Sequence, residues 1–200
     1  MAIVAMIFAA SATSAVWAAD SAPEGGKQVG QFSLGDAKGA QHTADEWRQS
    51  KAIVLFFIDT ECPVSNGYAP DMQRIADKYV ARGVKCYGIH CEESTTAAIA
   101  GKHAREYSLA FPILLDPAMT LAQAVAARVT PEAVVVSPAG SVLYQGRIDD
   151  RYASDGKRRD EPTARDLEDA LAAVLAGKQP AVKVTKAYGC PLPTPKAGAR

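Results

Sequence analysis

The chain has no surplus of either charge: 22 basic residues stand against 22 acidic ones in 200. A nucleic-acid binder shows a basic excess, so that class of function is set aside. Past the first nineteen residues there is no apolar run long enough to span a bilayer, which excludes stable membrane insertion once a leader is removed. Four cysteines are too few for a disulfide scaffold of this size, yet enough for one or two redox pairs. Three histidines give no compact multi-ligand spacing for a metal. Internal repeats are absent, and low complexity is confined to Ser21–Gly26 and Pro191–Arg200.

Charge is also missing from Met1–Ala19, a stretch rich in Ala, Ile, Val and Met. Its apolar centre runs from Ala2 to Ala10, and Val16 and Ala18 supply small residues at the −3 and −1 positions of a cleavage site. Residues 1–19 read as a secretory signal peptide, although no Lys or Arg follows Met1. The expected location is periplasmic or secreted, where cysteine pairs persist. Residues 20–28 follow as a flexible segment, 29–178 as one folded domain with a real core, and 179–200 as a mobile tail carrying Cys190.

The richest stretch is Ile53-Val54-Leu55-Phe56-Phe57-Ile58-Asp59-Thr60-Glu61-Cys62-Pro63-Val64-Ser65. Its apolar run suits a strand covered on both faces. Pro63 suits the first position of a helix, where a missing N–H costs nothing. A cysteine at that start faces unpaired backbone N–H groups and the positive end of the helix dipole. Both favour the thiolate, the reactive form. The competing reading is a buried structural cysteine.

Around it, strands and helices alternate. Gln31–Leu34 is a predicted short strand, and Thr43-Ala44-Asp45-Glu46 a capping box opening a short helix. Lys51–Ile58 is the central strand. Pro63–Ala81 is a helix with Tyr68, Met72, Ile75, Ala76 and Tyr79 at helical spacing, and Gly83 is its left-handed cap. Val84–His90 is the next strand, Thr95–Tyr107 a helix, Pro112–Leu115 a short strand and Met119–Ala127 a helix. Ala133–Ser137 and Val142–Ile148 make a hairpin, and Thr163–Leu175 is the last helix. The fold class is α/β, a mixed central sheet flanked by helices.

This order is similar to the thioredoxin fold. More closely, the chain resembles the redoxin group of alkyl hydroperoxide reductase and thiol-specific antioxidant proteins, over roughly residues 29–177. The resemblance rests on Phe56-Phe57, Glu61-Cys62-Pro63, Asn66 with Tyr68-Ala69-Pro70, Val129-Thr130-Pro131 and Gly146-Arg147-Ile148-Asp149-Asp150. Within the group it looks like exported redoxins with a Cys-Pro-x-Ser-Asn site and a C-terminal Gly-Cys, here Gly189-Cys190. The resemblance implies that Cys62 is the attacking thiol, that Pro131 is a cis-proline facing it, and that Thr130 offers its backbone to an extended substrate. Pro63, Ser65 and Thr60 then border the substrate. The implied partner is a protein or small-molecule disulfide or thiol, with no cofactor.

The chain also departs from the group. Ser65 stands where a dithiol oxidoreductase has its second cysteine, and Asn66 where a copper-delivery protein has one. Asp59 and Leu55 replace the Thr and Pro of the main peroxiredoxins. A second thiol therefore comes from elsewhere. Cys190, on a segment able to fold back, is favoured; Cys91, at the end of the strand expected beside the central one, is the other candidate. Cys86 is expected in the core. Cys62, His90 and Cys91 form an alternative site for Cu(I) or Zn. Arg147 either stabilises the thiolate or pairs with Asp149 or Asp150, and Asp59 either relays protons or caps the loop. His42 and His103 are expected in solvent, and Asp155–Glu161 as a solvated loop. The reading is a thiol–disulfide oxidoreductase. Its alternatives are a peroxidase acting on peroxide through a sulfenic acid on Cys62, and a non-catalytic copper-binding or partner-tethering module.

Overall fold

The central strand dictates the architecture. The structure, a computed structural model, describes residues 27–152 and 158–194; residues 1–19, expected as a signal peptide, and most of 20–28, expected as a flexible segment, lie outside the described residues, as do 153–157 and 195–200. In β3 (Ala52–Phe57) all six residues are buried. Successive strand side chains point to opposite faces. Ala52, Val54 and Phe56 accordingly join one apolar cluster, and Ile53, Leu55 and Phe57 another. A strand covered on both sides needs no polar alternation, hence the continuous apolar run.

The sheet has the order β5-β4-β3-β7-β8. Strands β4 (Val84–His90) and β5 (Ile113–Leu115) run parallel to β3, while β7 (Glu132–Val136) is antiparallel to β3 and to β8 (Val142–Gly146). One face carries α1 (Pro63–Val80), α2 (Ala97–Glu106) and α4 (Asp166–Leu175), through Tyr68, Met72, Ile75, Ala100, Leu167 and Leu171. The other carries Trp47 and α3 (Thr120–Val125), through Leu121 and Val125. Among the described residues no helix is long and apolar enough to cross a membrane.

Several boundaries and environments differ from expectation. The first hairpin pairs β1 (Ser33–Gly35) with β2 (Gln41–Thr43), two residues later than the predicted strand. Thr43 makes no side-chain cap, and Glu46 meets His42 at 3.0 Å and accepts the Tyr87 hydroxyl at 3.2 Å. His42 is therefore half-buried between Asp36 and Glu46 rather than solvated. Buried Asp116 accepts the N–H groups of Thr120, Leu121 and Ala122 at 2.6, 2.9 and 3.1 Å and so opens α3. Gly83 takes the predicted left-handed cap, with φ +86°.

The tail is docked at two places. The Thr185 N–H donates to Gln145 O at 3.0 Å and the Gln145 N–H to Lys183 O at 2.9 Å, which ties 183–185 to β8. A Cβ on Gly146 would lie 2.2 Å from Thr185 Oγ1, so only glycine admits this approach. Further on, β9 (Cys190–Pro191) pairs antiparallel with β6 (Val129–Thr130). At the other end, Lys27 and Gln28 are pinned to the hairpin by the bond of the Val142 N–H to Lys27 O and by the Gln28–Ser141 bridge.

Candidate active site

β3 ends at Phe57, and a four-residue loop delivers Cys62 as the N-cap of α1, with Pro63 at the first position. The cap geometry is local in origin. The Ser65 N–H, one of the helix's unpaired donors, points at the Cys62 sulfur at 3.4 Å. The thiol donates in turn to Thr130 O at 3.0 Å. The Thr130–Pro131 peptide bond is cis, and the Cys62–Thr130 hydrogen bond sets this dipeptide beside the sulfur.

Cys190 completes the group. In the register of β6 and β9 it sits directly opposite Thr130, which brings its N–H and its thiol to the Cys62 sulfur. Cys62 is wholly buried. Burial pushes its thiol up, but the Cys190 thiol, the Ser65 N–H, the Thr130 hydroxyl and the Cys190 N–H together outweigh it and hold Cys62 below the usual thiol range. The Thr130 hydroxyl is buried and makes no hydrogen bond among the described residues, so its effect on Cys62 is that of a nearby dipole. The bond to Thr130 O opposes this trend, since only the protonated sulfur can make it. Cys190 moves the other way, up to about 11, because it donates to Cys62 and is then burdened by burial and by the negative charges of Cys62 and Asp59. Of the two sulfurs, Cys62 is thus the one that ionises first and Cys190 the one that keeps its proton.

The loop before Cys62 is held by a chain of bonds. His103 Nε2 meets Asn66 Oδ1 at 2.8 Å, and Asn66 Nδ2 donates to Thr60 O at 2.9 Å. The Asp59 N–H points to Ser65 Oγ at 3.4 Å, and Asp59 accepts the Glu61 N–H at 2.9 Å, closing the loop on itself. Burial raises the Asp59 carboxyl above its ordinary range, an effect that the Glu61 N–H only partly offsets.

His103 is the supporting residue that the sequence reading places wrongly in solvent; it is buried against His90 and Tyr107. The missed signal is its place on the inward stripe of α2, three residues after buried Ala100.

Other candidates lie apart. Cys91 belongs to the cluster on the α3 side, where burial drives its thiol well above the ordinary range. Cys86 packs on the α1 face, its thiol pushed up to about 12 by burial. His90 is fully buried, with Nδ1 3.7 Å from Glu92 Oε2; among the described residues neither ring nitrogen is hydrogen-bonded, and no three His, Cys, Asp or Glu side chains could hold a metal ion.

Arg147 is bound by Asp166, with Nε at 2.7 Å and a terminal nitrogen at 3.2 Å, rather than by the thiolate, Asp149 or Asp150. Asp149 instead accepts the Tyr68 hydroxyl and the Arg151 N–H, and Asp150 the N–H groups of Thr163 and Ala164. These bonds fasten the loop after β8 to α1 and to the approach to α4.

Residues 25–145 match the model of the AhpC/TSA family. The thiol-disulfide oxidoreductase ResA of Halalkalibacterium halodurans is 25% identical over 118 residues, which is 59% of this chain and 65% of that protein, under two thirds of its length. A crystal structure of a hypothetical protein from Sinorhizobium meliloti superposes with a TM-score of 0.75 at 27% identity, over 84% of this chain and 92% of the other. A chain described as a thiol:disulfide interchange protein DsbE, from Chlorobium tepidum, gives a TM-score of 0.60 at 20% identity over 75% of this chain and 96% of the other, a likeness of fold.

Proposed function

Because this chain belongs to the AhpC/TSA family and has the thioredoxin-like fold, we propose that it is a thiol–disulfide oxidoreductase with Cys62 as attacking thiolate and Cys190 as resolving thiol. The observation that carries the reading is Cys190 paired with Thr130, the residue whose carbonyl accepts the Cys62 thiol; the two thiols are shifted in opposite directions, Cys62 down and Cys190 up. A thiolate attacks and a thiol waits, which is the division of labour that two-step exchange requires.

In the first step the Cys62 thiolate attacks one sulfur of a substrate disulfide. A Cys62–substrate disulfide forms, and the other substrate sulfur leaves as thiolate. In the second, Cys190 gives up its proton and attacks the Cys62 sulfur. The Cys62–Cys190 disulfide forms, and the remaining substrate sulfur leaves. Two electrons pass from the protein to the substrate, and a dithiol donor of the compartment reverses the change. Thr130 and cis-Pro131 border the sulfur where an extended substrate would align, Pro63 and Thr60 flank the approach, and the Ser65 N–H steadies the thiolate. Arg147 has no part, being bound to Asp166. Export to an oxidising compartment fits this chemistry and rests on the apolar segment 1–19.

The test is single-turnover reduction of insulin or a model disulfide by the reduced protein, followed by non-reducing peptide mapping. The expected product is a Cys62–Cys190 disulfide. Cys62→Ser abolishes the reaction and Cys190→Ser traps the mixed disulfide. Activity surviving in Cys62→Ser overturns the assignment. Oxidation by hydroperoxide alone, with no disulfide exchange, establishes the peroxidase instead, and stoichiometric Cu(I) retention without exchange establishes the non-catalytic module.

A further inference from the structure

The tail lies on the edge of β6 in the manner of a bound peptide. Cys190 pairs with Thr130 and Pro191 with Val129, and the Leu192 N–H donates to Arg128 O at 2.9 Å. Leu192 is only 9% exposed and belongs to the apolar cluster of Met119, Leu121, Ala122 and Val125. From there a groove of about 510 Å³ continues between Ala122, Gln123 and Ala126 on one side and Leu192 to Thr194 on the other. Before the cysteine, a Cβ on Gly189 would lie 1.9 Å from Thr130 O and 3.1 Å from Pro131 Cδ. Beneath all this, Cys62 has no exposed surface. The edge therefore has a main-chain register, a narrow place before the cysteine and an apolar place two residues after it, and all three are filled by the protein's own segment.

We propose that the substrate is an extended cysteinyl polypeptide that takes the place of β9, with a small residue before its cysteine and an apolar residue two positions after, and that Gly189–Leu192 is the built-in competitor for that edge. This rests on the oxidoreductase reading and adds the substrate class to it. The strand leaves, the substrate strand pairs with Thr130, and the Cys62 thiolate attacks the substrate sulfur. One S–S bond breaks as another forms, and the leaving sulfur departs as thiolate. When β9 returns it displaces the substrate strand while Cys190 attacks Cys62, so resolution and product expulsion are one movement.

The test uses the Cys190→Ser protein, which stops after the first step. The probe is the peptide Ala-Gly-Cys-Pro-Leu-Pro joined through its cysteine to thionitrobenzoate, whose release is followed by colour. This peptide is captured about tenfold faster than one with Asp for Leu, the discrimination expected of an apolar pocket. Adding Leu192→Asp, which undocks the tail, speeds capture by a similar factor, and Gly189→Val does the same.

Equal rates for the two peptides, or unchanged rates on undocking, overturn the proposal while Ellman's reagent still labels Cys62. Failure of Ellman's reagent to label Cys62 in any form overturns the underlying oxidoreductase reading instead. Should a variant not fold, the peptide Ala-Gly-Ser-Pro-Leu-Pro is added to the Cys190→Ser protein. It must slow capture of the probe, and no slowing overturns the proposal.

Discussion

At Cys62 several hydrogen-bond donors work against burial. Cys62 is held below the ordinary thiol range although burial alone would raise it, and the Cys190 thiol is the first of the groups that reverse the sign. The rate of Cys62 alkylation by iodoacetamide should therefore reach its half-maximum below pH 9. Cys190→Ala, which removes that donor, should move the midpoint up. An unmoved midpoint would show that Cys190 does not act on the sulfur. At this scale the sequence was informative where chemistry is local. A cysteine followed by proline at the end of an apolar strand points to a helix start whatever the rest of the chain does. It was uninformative about His103, whose burial depends on β4 and α1 arriving from elsewhere, and about Arg147, whose partner Asp166 is nineteen positions away.

Elements were legible in proportion to their length. Strands β3 and β4 and helix α1 lie close to their expected bounds, because six or more residues suffice for an apolar period to declare itself. Strands β6 and β9, two residues each, carry no period, yet they bring the thiols together. The tail that carries Cys190 reads as mobile because its end is low in complexity, with prolines, glycine and lysine. Helix α3 shows how a short element survives. It has six residues, and its first three N–H groups are met by one buried carboxylate, Asp116. Asp116→Ala should cost about 2 kcal/mol in urea unfolding, by stranding those donors. The same variant should weaken docking of the tail, because Leu192 packs in the cluster that includes Leu121 and Val125 of α3.

For the whole molecule, the buried histidine of α2 sets a limit on acid stability. Burial, with some help from His90, pushes the His103 imidazole down to about 4. The unfolded chain takes up that proton near pH 6.5, so between these values it binds more protons than the folded state. Stability should thus be fully present above pH 6.5 and decline as the pH falls toward 4. Urea midpoints measured from pH 7 to 4.5 should show the decline in the wild type and a flatter profile in His103→Gln, which keeps a donor for Asn66 but cannot titrate. Parallel profiles would remove His103 from the account.

The anchor of residues 183–185 on β8 has a further consequence. It fixes a leash: Cys190 lies five residues past Thr185, so even a fully released strand cannot carry its Cα more than about 18 Å from that point. A thiol confined to so small a volume has an effective concentration in the millimolar range. Closure onto Cys62 should accordingly be independent of protein concentration, and dilution should not favour capture of the mixed disulfide by a passing molecule.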